Sequence, residues 1–373
     1  MTPHGDTSRN SALFLTPEVP QPGTGGGGLR SASLLEYLRR RYDVEVTTFK
    51  LPHHSKTFLA RAWRNGFRML RGVPPLIDRF AGFEAQLAPV LIGRRYRVAV
   101  IEHFWCAPYA SAIRPHCDFL VLDLHNIESE LAATHARATA GAESVMHRRF
   151  AGAYEKLERQ WIPKFDLVLA TSEEDRGRIE HPNVVVYRNA LPIIEAPLVE
   201  QENCIVFSGN LEYHPNIEAV RWFAAAIWPG LREKNRGLIW KLVGRNPEAI
   251  AGIVGGDARI RLTGSVEDAV AAIAPARVAV VPLLSGSGTR FKILEAWAAK
   301  RAVVSTRIGA EGLGARDSEH LRIADDPAAF VDAVQDLLDN RARASALGEA
   351  GRALYLERYT WPAAWKQLEA SGI

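Results

Sequence analysis

At 373 residues, with 47% hydrophobic and 24% charged residues, the chain has the composition of a globular protein long enough to bury two cores. A net charge of +4 and a pI near 9.0 suit phosphate-bearing ligands or an anionic membrane surface, and are too weak to argue a nucleic-acid partner. No apolar run reaches the roughly 18 residues a membrane span needs, the first residues are too polar for a secretory signal, and Cys106, Cys117 and Cys204 lack CxxC spacing, so the expectation is a cytoplasmic protein with buried thiols.

Along the chain, apolar strand-like runs alternate with helical periodicity. ALFLT at 12–16 reads as the first strand. Gly23–Gly28 then matches G-x-G-x-x-G, but PEVPQP separates it from the strand, and Thr47–Lys50 at the end of the next strand offers no carboxylate for a ribose diol. A nicotinamide or flavin site is therefore the weak reading. The preferred one is a flexible glycine loop that opens the first helix and presents Gly26 and Gly27 to a ligand; a plain surface loop is the alternative.

A periodic segment at 29–41 and VEVTTF at 44–49 follow. Lys56–Arg71, KTFLARAWRNGFRMLR, interleaves cations with Phe58, Leu59, Trp63, Phe67 and Leu70. That composition suits peripheral contact with anionic lipid, and equally a core-packed helix with a solvated basic side. RVAVIE at 97–102 and FLVLD at 119–123 are buried-strand patterns. The second runs into Asp123-Leu124-His125-Asn126, where a parallel strand end presents residues to a cleft. His125 there is either a hydrogen-bonding partner for a sugar or a structural residue before the helix starting near Glu128. Glu128 and Glu130 fall in that helix's first turn, where negative charge is favoured. A periodic stretch at 142–162, LVLAT at 167–171 and VVVY at 184–187 complete the first half.

RNALPIIEAPLVEQEN is Pro-containing and aperiodic and reads as a linker. The strand pattern restarts with CIVFSG at 204–209 and continues through IWKLVG, ARIRLTG, RVAVVPL and AVVST. The fold class is α/β: two Rossmann-like, doubly wound parallel-sheet domains with a cleft at their carboxyl ends.

The densest chemistry lies in Pro282–Leu313, PLLSGSGTRFKILEAWAAKRAVVSTRIGAEGL. It reads as strand, glycine turn, helix, strand, glycine turn. The helix from Phe291 points its first N–H groups at the loop, Arg290 and Lys292 add cations, and Glu295 follows about one turn later. Amides and cations suit a diphosphate, and the carboxylate suits ribose hydroxyls. An ordinary βα turn with a salt bridge is the alternative.

With SGSGTR, KILEAWA and TRIGAEGL, this stretch resembles the nucleotide-binding segment of glycosyltransferase family 4 (group 1), whose enzymes have the GT-B fold. The resemblance extends over nearly the whole chain. It implies an acceptor-side domain at 1–190, a linker at 191–203, a nucleotide-sugar domain at 204–352 and a tail at 353–373 that crosses back to the first domain. It also implies metal-independent transfer, with retention, from a nucleotide-diphosphate sugar to a glycan or lipid-linked acceptor at the inner face of the plasma membrane, and no cofactor.

Carried onto this sequence, the resemblance implies His125 at the transfer centre and Gly26 and Gly27 near the donor or acceptor. Gly209 and Asn210 lie below the phosphates, Arg245 near the cleft, and Val266 in the loop that meets the base. Ser287, Gly288, Thr289, Arg290 and Lys292 surround the diphosphate, and Glu295 binds ribose. Many family members carry a second glutamate where this chain has Ser287. That departure keeps two other readings open: a non-catalytic nucleotide-sugar-binding subunit, and a sugar-nucleotide epimerase on the same fold. No DxD motif follows a strand, so no metal is expected.

Overall fold

The computed structural model describes residues 10–17, 19–20, 26–51, 66–68, 70–139, 141–286 and 289–373. The chain divides into two compact units, Met1–Asn189 with Ala364–Ile373, and Ala190–Ala363.

The first unit is built on a six-stranded parallel sheet of order β2-β1-β3-β4-β5-β6. Its strands are β1 (Ser11–Leu15), β2 (Asp43–Thr47), β3 (Tyr96–Glu102), β4 (Cys117–Asp123), β5 (Leu167–Ala170) and β6 (Val184–Val186). Leu13, Phe14 and Leu15 are fully buried, and each such side chain contributes roughly 1.5–3 kcal/mol. This is why the central strands read as unbroken apolar runs rather than alternating ones. The chain leaves β1 for β2 on one side and returns to β3 on the other, so strand order switches at β1/β3. Ligands of open α/β sheets bind outside the carboxyl ends at such a point. There α1 (Gly26–Arg39) begins. Gly26 and Gly27 are thus helical first-turn residues, a correction to the expected flexible loop. Two further helices of this unit, α2 (Glu128–Ala138) and α3 (Gly141–Trp161), pack side by side.

The last residues of the chain belong to this unit. In the terminal helix Trp361–Glu369, Trp365 Nε1 donates to the Ser33 carbonyl at 3.2 Å and Arg41 pairs with Glu369 at 2.8 Å. The Tyr37 hydroxyl donates to the Ile373 carbonyl.

The second unit repeats the plan with order β12-β11-β10-β7-β8-β9, all parallel. Its strands are β7 (Cys204–Ser208), β8 (Ile239–Val243), β9 (Ile260–Gly264), β10 (Val278–Val281), β11 (Ala302–Ser305) and β12 (Arg322–Ile323). β12, only two residues long, has no sequence pattern and was not expected. The switch point lies between β7 and β10. The helices that matter here are α4 (His214–Trp222), α5 (Phe291–Ala298), α6 (Pro327–Asp339) and α7 (Arg341–Arg358).

Two of these starts have clear causes. Asp326 caps α6 by accepting from the Ala329 N–H, with Pro327 in the first turn. Asn340 caps α7 by accepting from the Arg343 N–H. Helix α7 approaches α5 and β11 closely because it carries glycines at the contact. A Cβ on Gly348 would sit 2.3 Å from the Lys300 carbonyl oxygen, and one on Gly351 would sit 2.2 Å from Trp297. The division expected at 352/353 falls inside α7, and the second unit begins at Ala190 rather than after a separate linker.

Candidate functional site

In the second unit, two glycine turns cross at the strand ends. Gly209 follows β7 with φ +148°, and Gly244 follows β8 with φ +152°. A Cβ on Gly244 would lie 1.7 Å from the Gly209 carbonyl oxygen, so no other residue fits. Asn210, next in the turn, accepts from Asn246 Nδ2 at 3.1 Å and offers its carbonyl to Asn216 Nδ2 at 2.7 Å. The buried Asn216 then accepts from Lys292 Nζ at 2.6 Å.

Lys292 and Glu295 are three residues apart on α5 and share a face. The Lys292 ammonium also lies 4.8 Å from the centre of the Phe207 ring. Glu295 accepts from the Ser208 hydroxyl at 3.3 Å. Burial pushes the Lys292 ammonium down to about 7, against the pull of Glu295. Burial likewise pushes the Glu295 carboxyl up to about 7, against Lys292 and Ser208. Each charge is thus only partly compensated by the protein, and the pair stands at the β7/β10 switch point.

Arg290 is placed differently. It is buried, and its Nη2 donates to the Gly286 and Ile308 carbonyls, 2.9 Å each. The guanidinium therefore ties Gly286 to the chain after β11. Glu311 stands 3.6 Å away, and burial lowers the guanidinium pKa. Thr289 is half-buried beside it, whereas Ser287 and Gly288 lie outside the described residues. Arg245 and Val266 are exposed at the ends of β8 and β9.

In the first unit, β3 and β4 end side by side, with Glu102 in register with Asp123. Both carboxylates are fully buried. Arg30, from the second turn of α1, engages Asp123 with Nε at 3.0 and 3.1 Å from its two oxygens. The same guanidinium donates to the Tyr187 carbonyl and to Asn189 Oδ1. His125 Nε2 lies 3.3 Å from Asp123 Oδ2 and 3.6 Å from Glu102 Oε1. Its other nitrogen, Nδ1, faces Gly27, where a Cβ would come within 3.5 Å. The bare backbone of Gly27 leaves that nitrogen approachable.

His103, at an unusual φ of +64°, stacks between His125 and Trp105, with ring centres 3.7 and 4.2 Å away. A left-handed non-glycine residue at a strand end is costly and marks functional sites more often than others. Burial opposes a charge on His125, but Asp123 and Glu102 outweigh it and raise its pKa. Burial, helped by His125, drives the His103 pKa well down. The Asp123 pKa falls, because Arg30 and His125 outweigh its burial. One imidazole is thus poised to carry charge and its neighbour to stay neutral. His125 can donate to, or accept from, a hydroxyl at Nδ1.

Glu102, Asp123 and His125 are also the group of described residues that could hold a metal, with donor atoms within 4.8 Å of one another. Arg30 already supplies positive charge to both Asp123 oxygens, which opposes a second cation there.

Sequence reasoning passed over Glu102, His103, Trp105, Arg30 and Asn216. For Glu102 a signal was present: a carboxylate closing the buried run RVAVIE at a strand's carboxyl end. Asn216 carried none, since its role depends on the turn at Asn210.

Comparison with known proteins finds similarity at the level of the second unit's sequence and of the whole fold. Residues 202–340 match the family described as Glycosyl transferases group 1. An uncharacterised 44.6 kDa protein in the cps region of Klebsiella pneumoniae is 22% identical over 349 residues, covering 86% of this chain and 88% of that one. The structure of sucrose-phosphate synthase from Thermosynechococcus elongatus matches with a TM-score of 0.69 at 15% identity, covering 98% of this chain and all of that one. HepE of Anabaena, solved with UDP and glucose, matches at 0.65 and 13% identity, covering 97% and 99%. The fold is GT-B.

Proposed function

We propose that this GT-B chain, group 1 glycosyltransferase-like over residues 202–340, moves a sugar from a nucleotide-diphosphate donor to a glycan or lipid-linked acceptor. The observation that carries the proposal is the Lys292–Glu295 pair on one face of α5, at the switch point of the second sheet. An ammonium held near neutrality gains from an added diphosphate, and a carboxylate with unused acceptor capacity gains from ribose hydroxyls. Arg290 ties Gly286 to Ile308, and Ser287, Gly288 and Thr289 would meet the phosphates. Gly209, Asn210, Arg245 and Val266 line the neighbouring strand ends.

His125 would contact the transferring sugar through Nδ1, with Asp123 and Glu102 holding the ring. Fixed amides and Lys292 would meet the charge that develops on the leaving diphosphate, so the proposed reaction needs no divalent ion; retention at the anomeric carbon is carried over from the family resemblance. The UDP-bound HepE structures make UDP-sugars the first donors to test. The relative from a cps region favours a cell-surface polysaccharide acceptor.

Product analysis with UDP-, GDP- and TDP-sugars, with and without glycan and lipid acceptors and before and after EDTA, tests the proposal. Acceptor-dependent transfer that survives chelation is expected. Binding without turnover would favour a non-catalytic subunit, and an epimer or free sugar without acceptor would favour an epimerase. Loss of activity on chelation, restored by manganese, would refute the metal-free site.

No helix among the described residues is long and apolar enough to cross a membrane. Peripheral contact through Lys56–Arg71 is part of the proposal. Most of that segment lies outside the described residues, but Phe67 and Leu70 are exposed at 49% and 83%, with Arg71 beside them. Co-sedimentation with anionic but not neutral vesicles is the expected result.

A further inference from the structure

A second charged pocket lies at the opposite end of the second unit's sheet. Parallel pairing of β10 with β11 sets Val278 against Ala302. It thereby brings Arg277 and Arg301, the residues just before each strand, side by side at the amino ends. With Lys300, and with Arg341 at the first turn of α7, they line a pocket of about 270 Å³.

Arg301 is the telling residue. It is only 9% exposed, its Nε donates to the Ala299 carbonyl at 2.8 Å, and its Nη1 has no partner. Arg277 donates to the Leu338 carbonyl and to Asn203 Oδ1 and meets no carboxylate directly. Lys300 pairs with Glu349 at 3.0 Å, the one carboxylate in the lining; Asp339 acts on Arg277 from farther off. Four cations therefore face two acids, and burial lowers the pKa of both Arg277 and Arg301. A buried guanidinium with one nitrogen left unpaired costs stability unless an anion completes it. The amino end of an 18-residue helix adds its own positive end to the same pocket.

We propose that this pocket binds a small phosphate-bearing anion, inorganic phosphate or a sugar monophosphate, independently of the donor site. Its volume falls just below the roughly 300–1,000 Å³ of drug-sized ligand sites, which suits a ligand of that size and not a full nucleotide sugar.

Titration calorimetry of the whole chain with inorganic phosphate and with glucose 6-phosphate, each with and without saturating UDP, tests it. Saturable binding of at least one probe that persists under UDP is expected. Whichever binds more tightly identifies the source of the phosphate. Arg301→Met and Arg341→Ala should each weaken it about tenfold or more, the loss of one charge-assisted contact. Arg341 is exposed, so that variant decides the matter even if Arg301→Met fails to fold. Absence of saturable binding, displacement by UDP, or unchanged affinity in Arg341→Ala would overturn the proposal.

Discussion

The affinity of this chain for a nucleotide sugar should be greatest near pH 7 and fall on both sides. Lys292 and Glu295 each titrate near 7 because burial disfavours both charges. In the proposed binding mode the ligand needs the opposite states together: an ammonium for phosphate and a carboxylate for ribose. Above pH 7 the free protein loses the Lys292 proton, so binding must take one up. Below pH 7 it holds the Glu295 proton, so binding must release one. The limiting slope is about tenfold in affinity per pH unit. At pH 8.5, some 1.5 units above the midpoint, the fraction with Lys292 charged and Glu295 ionised falls from about a quarter to about 3%, so the loss from the maximum is about eightfold, or about 1.2 kcal/mol.

A UDP-sugar is the right probe, since its diester phosphates do not themselves titrate in this range. Calorimetry in buffers of different ionisation heat reads the proton count directly. Uptake approaching one proton at pH 8.5, and release approaching one at pH 5.5, is expected. Lys292→Met should abolish the alkaline limb and Glu295→Gln the acid limb, each at some cost in affinity at pH 7. A flat profile from pH 6 to 9, or an alkaline limb that survives Lys292→Met, would refute the reasoning.

Three further outcomes are expected. Gly244→Ala should destabilise the second unit by several kcal/mol, because the new Cβ would sit 1.7 Å from a backbone oxygen; Gly252→Ala, with open space around it and a helical setting, should be neutral or slightly stabilising, and denaturant melts distinguish them. Gly27→Ala keeps an ordinary 3.5 Å contact with His125 but covers Nδ1, so turnover should fall far more than donor affinity; equal loss of both would mean His125 does not meet the reacting sugar. Arg30→Met leaves the buried Asp123 with His125 as its one cationic neighbour among the described residues and should cost about 3–5 kcal/mol in urea unfolding; a loss under about 1 kcal/mol would show that His125 or water replaces the guanidinium.

The sequence by itself determined the two parallel sheets, eleven of whose strands begin within two residues of an apolar run that any reader can mark. Buried parallel strands cannot be built otherwise, since both faces must be apolar. It also made the α5 segment legible as a candidate site, because a turn, a helix start, Lys292 and Glu295 fall within one short stretch. The remaining decisions belonged to tertiary structure. Glu102, Asp123 and His125 form a cluster only because β3 and β4 lie in a particular register, and Arg30 reaches them only because α1 packs at the same switch point. Arg290 and Lys292 look equivalent in sequence, yet one is tied to two carbonyls and the other to Asn216. Arg277 and Arg301 are neighbours for the same reason as the two carboxylates. Parallel pairing joins residues far apart along the chain, and charges that a local pattern leaves as solvated surface become partners or rivals once burial strips away their water.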